Sequence, residues 1–437
     1  MKAGWLGFCF FVVFSLALDT ASGQTWPPLP QATPDSAGFS STRLKLLDAA
    51  LQQTVDRKQF AGVVMMMARH GRLVMQKTYG LRDIAGKREM QNDTIFKLFS
   101  MTKPITGAAM MILYEEGKWK PSDAIAKYIP QFADLKVYAG KDKRGKVKLV
   151  APAHPPTMGE LMSHTAGFAY GLTGDATDNL YTKAHLFQAR SSEEFIAKLA
   201  TLPLAYQPGQ SWRYSVSVDV QGYLVEKLSR KPLPDFVRER ILVPLGMSDT
   251  DFFVPQGKRS RLATVYKPDP TQTSLIAVPH DTDVSDLPGM PSGGGEGGGG
   301  MYSTAGDYLR FAQMLLNGGG LNGERVLSPS TVALMRSNHL AERLRTGKYG
   351  TGSYFMQPGL GFGYDLAVID EPIKVGSTAG KGSYLWNGLA GTWFWIDPTN
   401  DLVFVGMVQR LASEPGMPDM ENLSRVLLYQ ALTEPAK

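Results

Sequence analysis

A serine and a lysine stand three residues apart in Phe99-Ser100-Met101-Thr102-Lys103-Pro104, where an apolar helical pattern begins. Ile105, Ala108, Ala109 and Ile112 recur at the spacing of one helix face. Pro104 is compatible with a first turn, whose N–H groups have no intrahelical partner. Residues three apart share one side of a helix, so the Ser100 hydroxyl and the Lys103 amine can meet. They form a candidate nucleophile–base pair at the positive end of a helix dipole. Taken alone, the stretch also reads as a surface helix start with a solvated lysine. It is the one Ser-x-x-Lys in the chain.

An amine acts as a base only if it gives up its proton near neutral pH. Moving it from ~10.4 to ~7 costs about 4–5 kcal/mol of differential solvation or repulsion, which burial and a helix N-terminus both favour. A further polar group is needed to carry the proton to a leaving alcohol. Tyr214, in Arg213-Tyr214-Ser215-Val216, has a suitable context between the turn Gln207-Pro208-Gly209 and a helix starting near Val218. A packed aromatic with a satisfied hydroxyl is the alternative reading.

Other chemistries find little support. The six histidines show no His-x-x-x-His or His-Glu-x-x-His spacing, so no metal site is expected. His164, in Ser163-His164-Thr165, is read as structural. No cofactor motif is present: Pro291 to Gly300 is glycine-rich but lacks the Gly-Lys-Ser/Thr ending of a phosphate loop, and it reads as a connector. The net charge of +6 is spread along the chain, and the basic run Lys141 to Lys148 reads as a solvated hairpin tip without the interleaved aromatics of a nucleic-acid surface.

The first residues read as an export signal. Lys2 precedes a nearly continuous apolar run, Trp5 to Leu18, and Ala21-Ser22-Gly23 supplies small residues for cleavage near Gly23. The run is brief for a membrane span. Cys9, the one cysteine, lies inside it, so an exported mature chain (periplasmic or secreted) contains neither a disulfide nor a thiol nucleophile.

The elements that must position Ser100 follow from periodicity. A helix is expected over Ser40–Gln59, strands over Gly62–Ala68 and Leu73–Tyr79 joined by His70-Gly71, and a polar connection over Leu81–Asp93. Helical patterns follow at Met158–Met162, Glu193–Ala200, Val218–Leu228, Asp235–Ile241 and after the Thr304 cap. Strands return at Gly363–Ile369, Ser383–Trp386, Gly391–Ile396 and Leu402–Val408, with a last helix over Asn422–Leu432. The economical arrangement is an α/β (α+β) fold. One antiparallel sheet is built from both chain ends (24–102 and 350–437) and flanked by helices, with a mainly helical lobe over 103–349. Ser100 then lies at the junction, where small-molecule sites are favoured.

With these residues in hand, the chain resembles the serine β-lactamase and penicillin-binding protein superfamily, and within it most closely the family VIII carboxylesterases. Ser100-Met101-Thr102-Lys103 matches the first motif, Tyr214-Ser215-Val216 the second, and Trp386-Asn387-Gly388 stands at the third. Leu161 to Gly167, Pro244 to Met247 and Gly297 to Leu316 support the likeness, which runs from about Asp35 onward. The resemblance implies a β-lactamase/transpeptidase-like fold. It further implies Ser100, Lys103 and Tyr214 as catalytic residues, and Trp386, Asn387, Gly388 and Leu389 as substrate or oxyanion contacts. The backbone N–H groups of Ser100 and Leu389 would hold the oxyanion. Two departures bear on substrate: Val216 replaces the usual asparagine, and Trp386 replaces the lysine that attracts a drug's carboxylate. Both favour a neutral ester over an anionic lactam.

The expected function is a serine esterase for short-chain, small-molecule carboxylic esters, acting through an acyl-enzyme on Ser100. A β-lactamase or D,D-peptidase is the alternative, and a catalytically silent binding module is a third. The chain has no Gly-x-Ser-x-Gly elbow, which argues against a Ser-His-Asp esterase. Whether Lys103 or Tyr214 is the working base stays open at this point, as do the oligomeric state and the acyl length.

Overall fold

The computed structural model describes Met1 and residues 28–271, 274–278, 300–345, 350–351, 356–411 and 417–434. The export segment and residues 291–299 of the glycine-rich stretch lie outside the described residues.

Eight antiparallel strands make the main sheet. β1 (Gly62–Arg69), β2 (Arg72–Asp83) and β3 (Arg88–Glu89) come from the first part of the chain. β4 (Leu360–Phe362), β5 (Ala367–Ile369), β6 (Ser383–Asn387), β7 (Trp393–Asp397) and β8 (Leu402–Met407) come from the last. The order across the sheet is β4-β5-β6-β7-β8-β1-β2-β3. The two chain ends therefore join at β1 and β8, with Val64 opposite Met407 and Arg69 opposite Leu402. β1, β7 and β8 are buried at every position, which is why their sequences are apolar runs and not alternations, broken only at the terminal Arg69 and Asp397. His70 and Gly71 both take positive φ (52° and 67°), the primed-turn geometry whose twist suits a two-residue hairpin.

Six helices bear on the site: α1 (Ser41–Asp56), α2 (Thr102–Glu115), α3 (Met158–Met162), α4 (Ser217–Ser229), α5 (Ala305–Leu316) and α6 (Met420–Tyr429). Alternation along β7 shows how the sheet is covered. Trp393 hydrogen-bonds Ser424 of α6, while the next residue, Phe394, puts its ring 5.0 Å from that of Tyr308 on α5. α1 and α6 pack against each other, and α5 lies against β1, β7 and β8. α5 thus belongs to the layer over the sheet, although it falls within the stretch 103–349 read as the helical lobe. α2 packs instead against α4, beyond the sheet. No helix among the described residues is long and apolar enough to cross a membrane.

Three local expectations change. Leu81 to Asp83 continue β2 and pair with β3, where a connection was expected, because their ladder partners arrive only after the intervening turn. The segment Gly363–Ile369 is not one strand: Gly363 donates to the Leu366 carbonyl at 2.7 Å and Asp365 adopts φ 60°, so a tight turn separates β4 from β5. The helix expected over Asp235–Ile241 spans Leu233–Val237 and widens into a π-type turn through Leu242.

Candidate active site

Ser100 sits in a single tight turn, Phe99–Met101, that runs straight into α2. Phe99 has φ 48°, a conformation that costs a bulky residue about 1–3 kcal/mol and persists only where the surroundings hold it. They do so from distant parts of the chain. Leu98 donates its N–H to the Met301 carbonyl, and Met301 donates its N–H to Thr102 Oγ1, both at 2.8 Å. The Tyr308 hydroxyl of α5 donates to the Met101 carbonyl at 2.9 Å. The helix over the sheet thus pins the serine's turn.

Lys103 is 1% exposed, and its Nζ donates to Ser100 Oγ at 3.2 Å. The Tyr214 hydroxyl donates to the same oxygen at 2.7 Å. Nζ also lies 5.0 Å from the centre of the Tyr214 ring and 5.7 Å from that of Tyr170, within cation–π range of both. The two rings are stacked at 5.4 Å and 6°. Tyr170 escaped the sequence reading, since an isolated tyrosine after Phe168-Ala169 carries no motif. Burial pushes the Tyr214 hydroxyl above the ordinary phenol value, and hydrogen bonds with the Ser100 and Trp386 side chains offset this only in part. At neutral pH it is therefore a protonated phenol, placed to donate.

Tyr214 follows an ion-pair fork built on the buried Arg213. Arg213 contacts Asp175 and Asp178 at 2.7 Å each, and Asp178 also accepts the Gly171 N–H at 2.8 Å. After it, Val216 is fully buried and gives its N–H to the Ala169 carbonyl at 3.1 Å. The position is apolar core, with no amide to offer a substrate.

The third segment closes the site from β6. Gly388 donates to the Thr392 carbonyl at 2.7 Å, Gly391 donates to the Gly388 carbonyl at 2.9 Å, and Thr392 Oγ1 donates to the Leu98 carbonyl at 3.2 Å. A Cβ at position 388 would lie 2.3 Å from both the Leu98 oxygen and Thr392 Oγ1, so only glycine allows this approach. The 388–391 turn is thereby held against the Ser100 turn, with Leu389 at its tip and 65% exposed. Trp386 is 4% exposed, its ring 5.4 Å from Tyr214 and 5.5 Å from Phe362. Asn387, one residue on, faces the other side of the sheet as strand alternation requires, and its Nδ2 donates to Glu421 Oε2 of α6 at 3.2 Å. Of the residues named from sequence, Ser100, Lys103 and Tyr214 meet at one oxygen, and Trp386, Gly388 and Leu389 border them. Asn387 is turned away. Among the described residues no group of His, Cys, Asp and Glu side chains could hold a metal ion.

Comparisons with known proteins bear on the chain as a whole. Esterase EstB of Burkholderia gladioli is 30% identical over 384 residues, spanning 83% of this chain and 90% of that protein. An uncharacterized protein of Mycobacterium tuberculosis is 35% identical over 369 residues, 83% of this chain and 88% of its own length. The solved structure of EstCE1, a hydrolase with promiscuous acyltransferase activity, has a TM-score of 0.71 at 26% identity and covers 89% of this chain and 98% of that one. Residues 47–428 match the family model described as Beta-lactamase. That match runs from α1 to α6, through every element that builds the site, and the chain belongs to the beta-lactamase family.

Proposed function

We propose that the chain is a serine ester hydrolase that cleaves short-chain carboxylic esters through an acyl-enzyme on Ser100. The observation that carries this reading is the convergence of Lys103 Nζ and the Tyr214 hydroxyl on one half-buried serine oxygen. Ser100 Oγ attacks the ester carbonyl, and Lys103 takes its proton. Tyr214, protonated at the outset, gives its proton to the leaving alcohol and regains one from Lys103. The N–H groups of Ser100 and Leu389 hold the oxyanion, each such donor being worth ~3 kcal/mol in the transition state. Water then attacks the acyl-enzyme by the same relay in reverse.

The choice of ester over lactam is supported by Val216 and Trp386, which supply neither an amide nor a cation, and by the esterase name of the Burkholderia relative. The export segment at Lys2 to Gly23 would deliver the enzyme outside the cytoplasm. Purified protein incubated with short-chain aryl esters and, separately, with nitrocefin tests the reading, alongside a fluorophosphonate probe. Ester hydrolysis and labelling that both vanish in Ser100→Ala are expected. Equal rates in Ser100→Ala and the parent, or nitrocefin turnover comparable to ester turnover, would overturn it.

A further inference from the structure

His164 and Asp365 are fully buried and enter no chemical step described above, yet both adopt left-handed backbone conformations (φ 58° and 60°) that are sparsely populated for residues other than glycine. They meet in space, His164 Nε2 lying 3.7 Å from Asp365 Oδ1. His164 grips both neighbours of Tyr214. Its carbonyl accepts the Arg213 N–H at 3.0 Å, and its ring Nδ1 accepts the Ser215 N–H at 3.2 Å, with the Ser215 hydroxyl 3.0 Å away. Its ring centre is 5.3 Å from that of Tyr214. A ring nitrogen that accepts from a backbone N–H carries no proton itself, so the proton of the neutral imidazole resides on Nε2, facing Asp365. Burial, reinforced by the neighbouring Lys103 charge, keeps the ring neutral by lowering its pKa to about 3.

Asp365 is anchored in turn by α3 and α4 and packs closely against α2. Gln221 of α4 donates to Oδ1 at 3.1 Å, and the Asp365 N–H donates to the Met162 carbonyl, at the end of α3, at 3.2 Å. Oδ2 faces α2 at Gly107, where a Cβ would come within 2.7 Å of it. Gly107 is one helical turn beyond Lys103. The cluster therefore ties α3, α4 and the turn between β4 and β5, packed against α2, to the peptide that carries Tyr214.

We infer that Asp365 and His164 are positioning residues: Asp365 packs against the Nε2 edge of the imidazole and holds the ring in place, and His164 clamps the residues on either side of Tyr214 so that its hydroxyl stays on Ser100. The inference rests on the role proposed above for Tyr214. A misplacement of about 1 Å at a reacting group can cost about 100-fold in rate.

Two substitutions separate the clamp from mere packing. In His164→Asn the amide oxygen overlies the Nδ1 position, preserving an acceptor for the Ser215 N–H, and asparagine tolerates the left-handed backbone. His164→Gln carries its polar end at the Nε2 position instead and leaves that N–H unmatched. With a short-chain alkyl ester, His164→Asn should keep kcat within about tenfold of the parent, while His164→Gln loses about 100-fold with KM little changed. Asp365→Asn should lower kcat in the parent but add nothing in His164→Asn, which has no imidazole edge to hold. In a Tyr214→Phe background the gap between the Asn and Gln variants should close. Equal kcat for the two variants, or a gap that survives Tyr214→Phe, would overturn the clamp. A Tyr214→Phe enzyme as active as the parent would instead overturn the role of Tyr214 itself.

Discussion

Tyr214→Phe offers the sharpest reading of the proton path, because the substitution removes one oxygen and little else. The ring is held by stacking on Tyr170 at 5.4 Å and by contacts with Trp386 and His164 at 5.4 and 5.3 Å, all of which phenylalanine keeps. What goes is the 2.7 Å hydrogen bond to Ser100 and the proton available to the leaving alcohol, together with a bond to the Trp386 side chain whose loss is common to both substrates compared below. The first loss is that of an ordinary hydrogen bond, about 1 kcal/mol, or roughly fivefold in rate. The second is that of a general acid, ~10²–10⁴-fold. The two separate by choice of leaving group. A 4-nitrophenolate departs unprotonated near neutral pH and needs no acid, whereas an ethyl or benzyl alkoxide does. Acylation rates of the parent and Tyr214→Phe should therefore differ about fivefold with a 4-nitrophenyl ester and by ~10² or more with the matching alkyl ester. Equal losses on both substrates would refute the assignment and make Tyr214 the base that activates Ser100.

Other perturbations reach the scaffold. Asp307, under the α5 N-terminus, has its carboxyl raised to about 6 by burial, against hydrogen bonds from the Asp249 N–H and Thr250 that pull it down. The folded state thus holds this proton more tightly than the unfolded chain, so the group's contribution to stability falls as pH rises from about 4 to 6, by about 3 kcal/mol; denaturant midpoints should show Asp307→Asn gaining on the parent across that range, and a constant difference would contradict the account. Gly388→Ala drives a methyl against the Leu98 oxygen and should cut kcat by ~10²–10³ as the Leu389 N–H is displaced, with folding checked by circular dichroism. Trp386→Lys should not create a β-lactamase: it empties an aromatic site, at ~3–5 kcal/mol, and places an ammonium beside Phe362. A lower melting temperature and no gain in nitrocefin turnover are expected, and a stable variant with raised turnover would count against that view.

The parts of the site that were legible in sequence are those set by short-range geometry. Ser100 and Lys103 share one helical turn, so spacing alone brings them together, and the buried strands show as apolar runs whatever their partners. The turn that carries Ser100 is different. It depends on Met301, Tyr308 and Thr392, which lie some 200 to 290 positions away and look in isolation like ordinary core residues or a strand threonine. Trp386-Asn387-Gly388 could be recognised but not oriented, because a shift of one residue in register exchanges the two faces of a strand; pairing with β7 turns Trp386 inward and Asn387 to Glu421. Asp365 was hidden inside an expected strand. A carboxylate at the centre of an otherwise apolar segment was the available signal, since such a group is expensive to bury without a purpose.

Trp386 was expected among the substrate contacts, but at 4% exposure it is chiefly a wall behind Tyr214. The bias toward esters then has a different origin. The side chains described around Ser100 include Phe99, Tyr170, Tyr214, Trp386 and Leu389, with Lys103 Nζ on the serine oxygen and Lys97 Nζ 5.0 Å from the Phe99 ring. A substrate whose carboxylate lies beside the serine would draw on Lys103, the group that has to accept the serine proton. An anion bound there favours the ammonium form and so opposes the first step. A neutral ester makes no such demand and leaves the amine to the chemistry. On this argument the discrimination is kinetic and centred on the base, and it requires no pocket that recognises the ester itself.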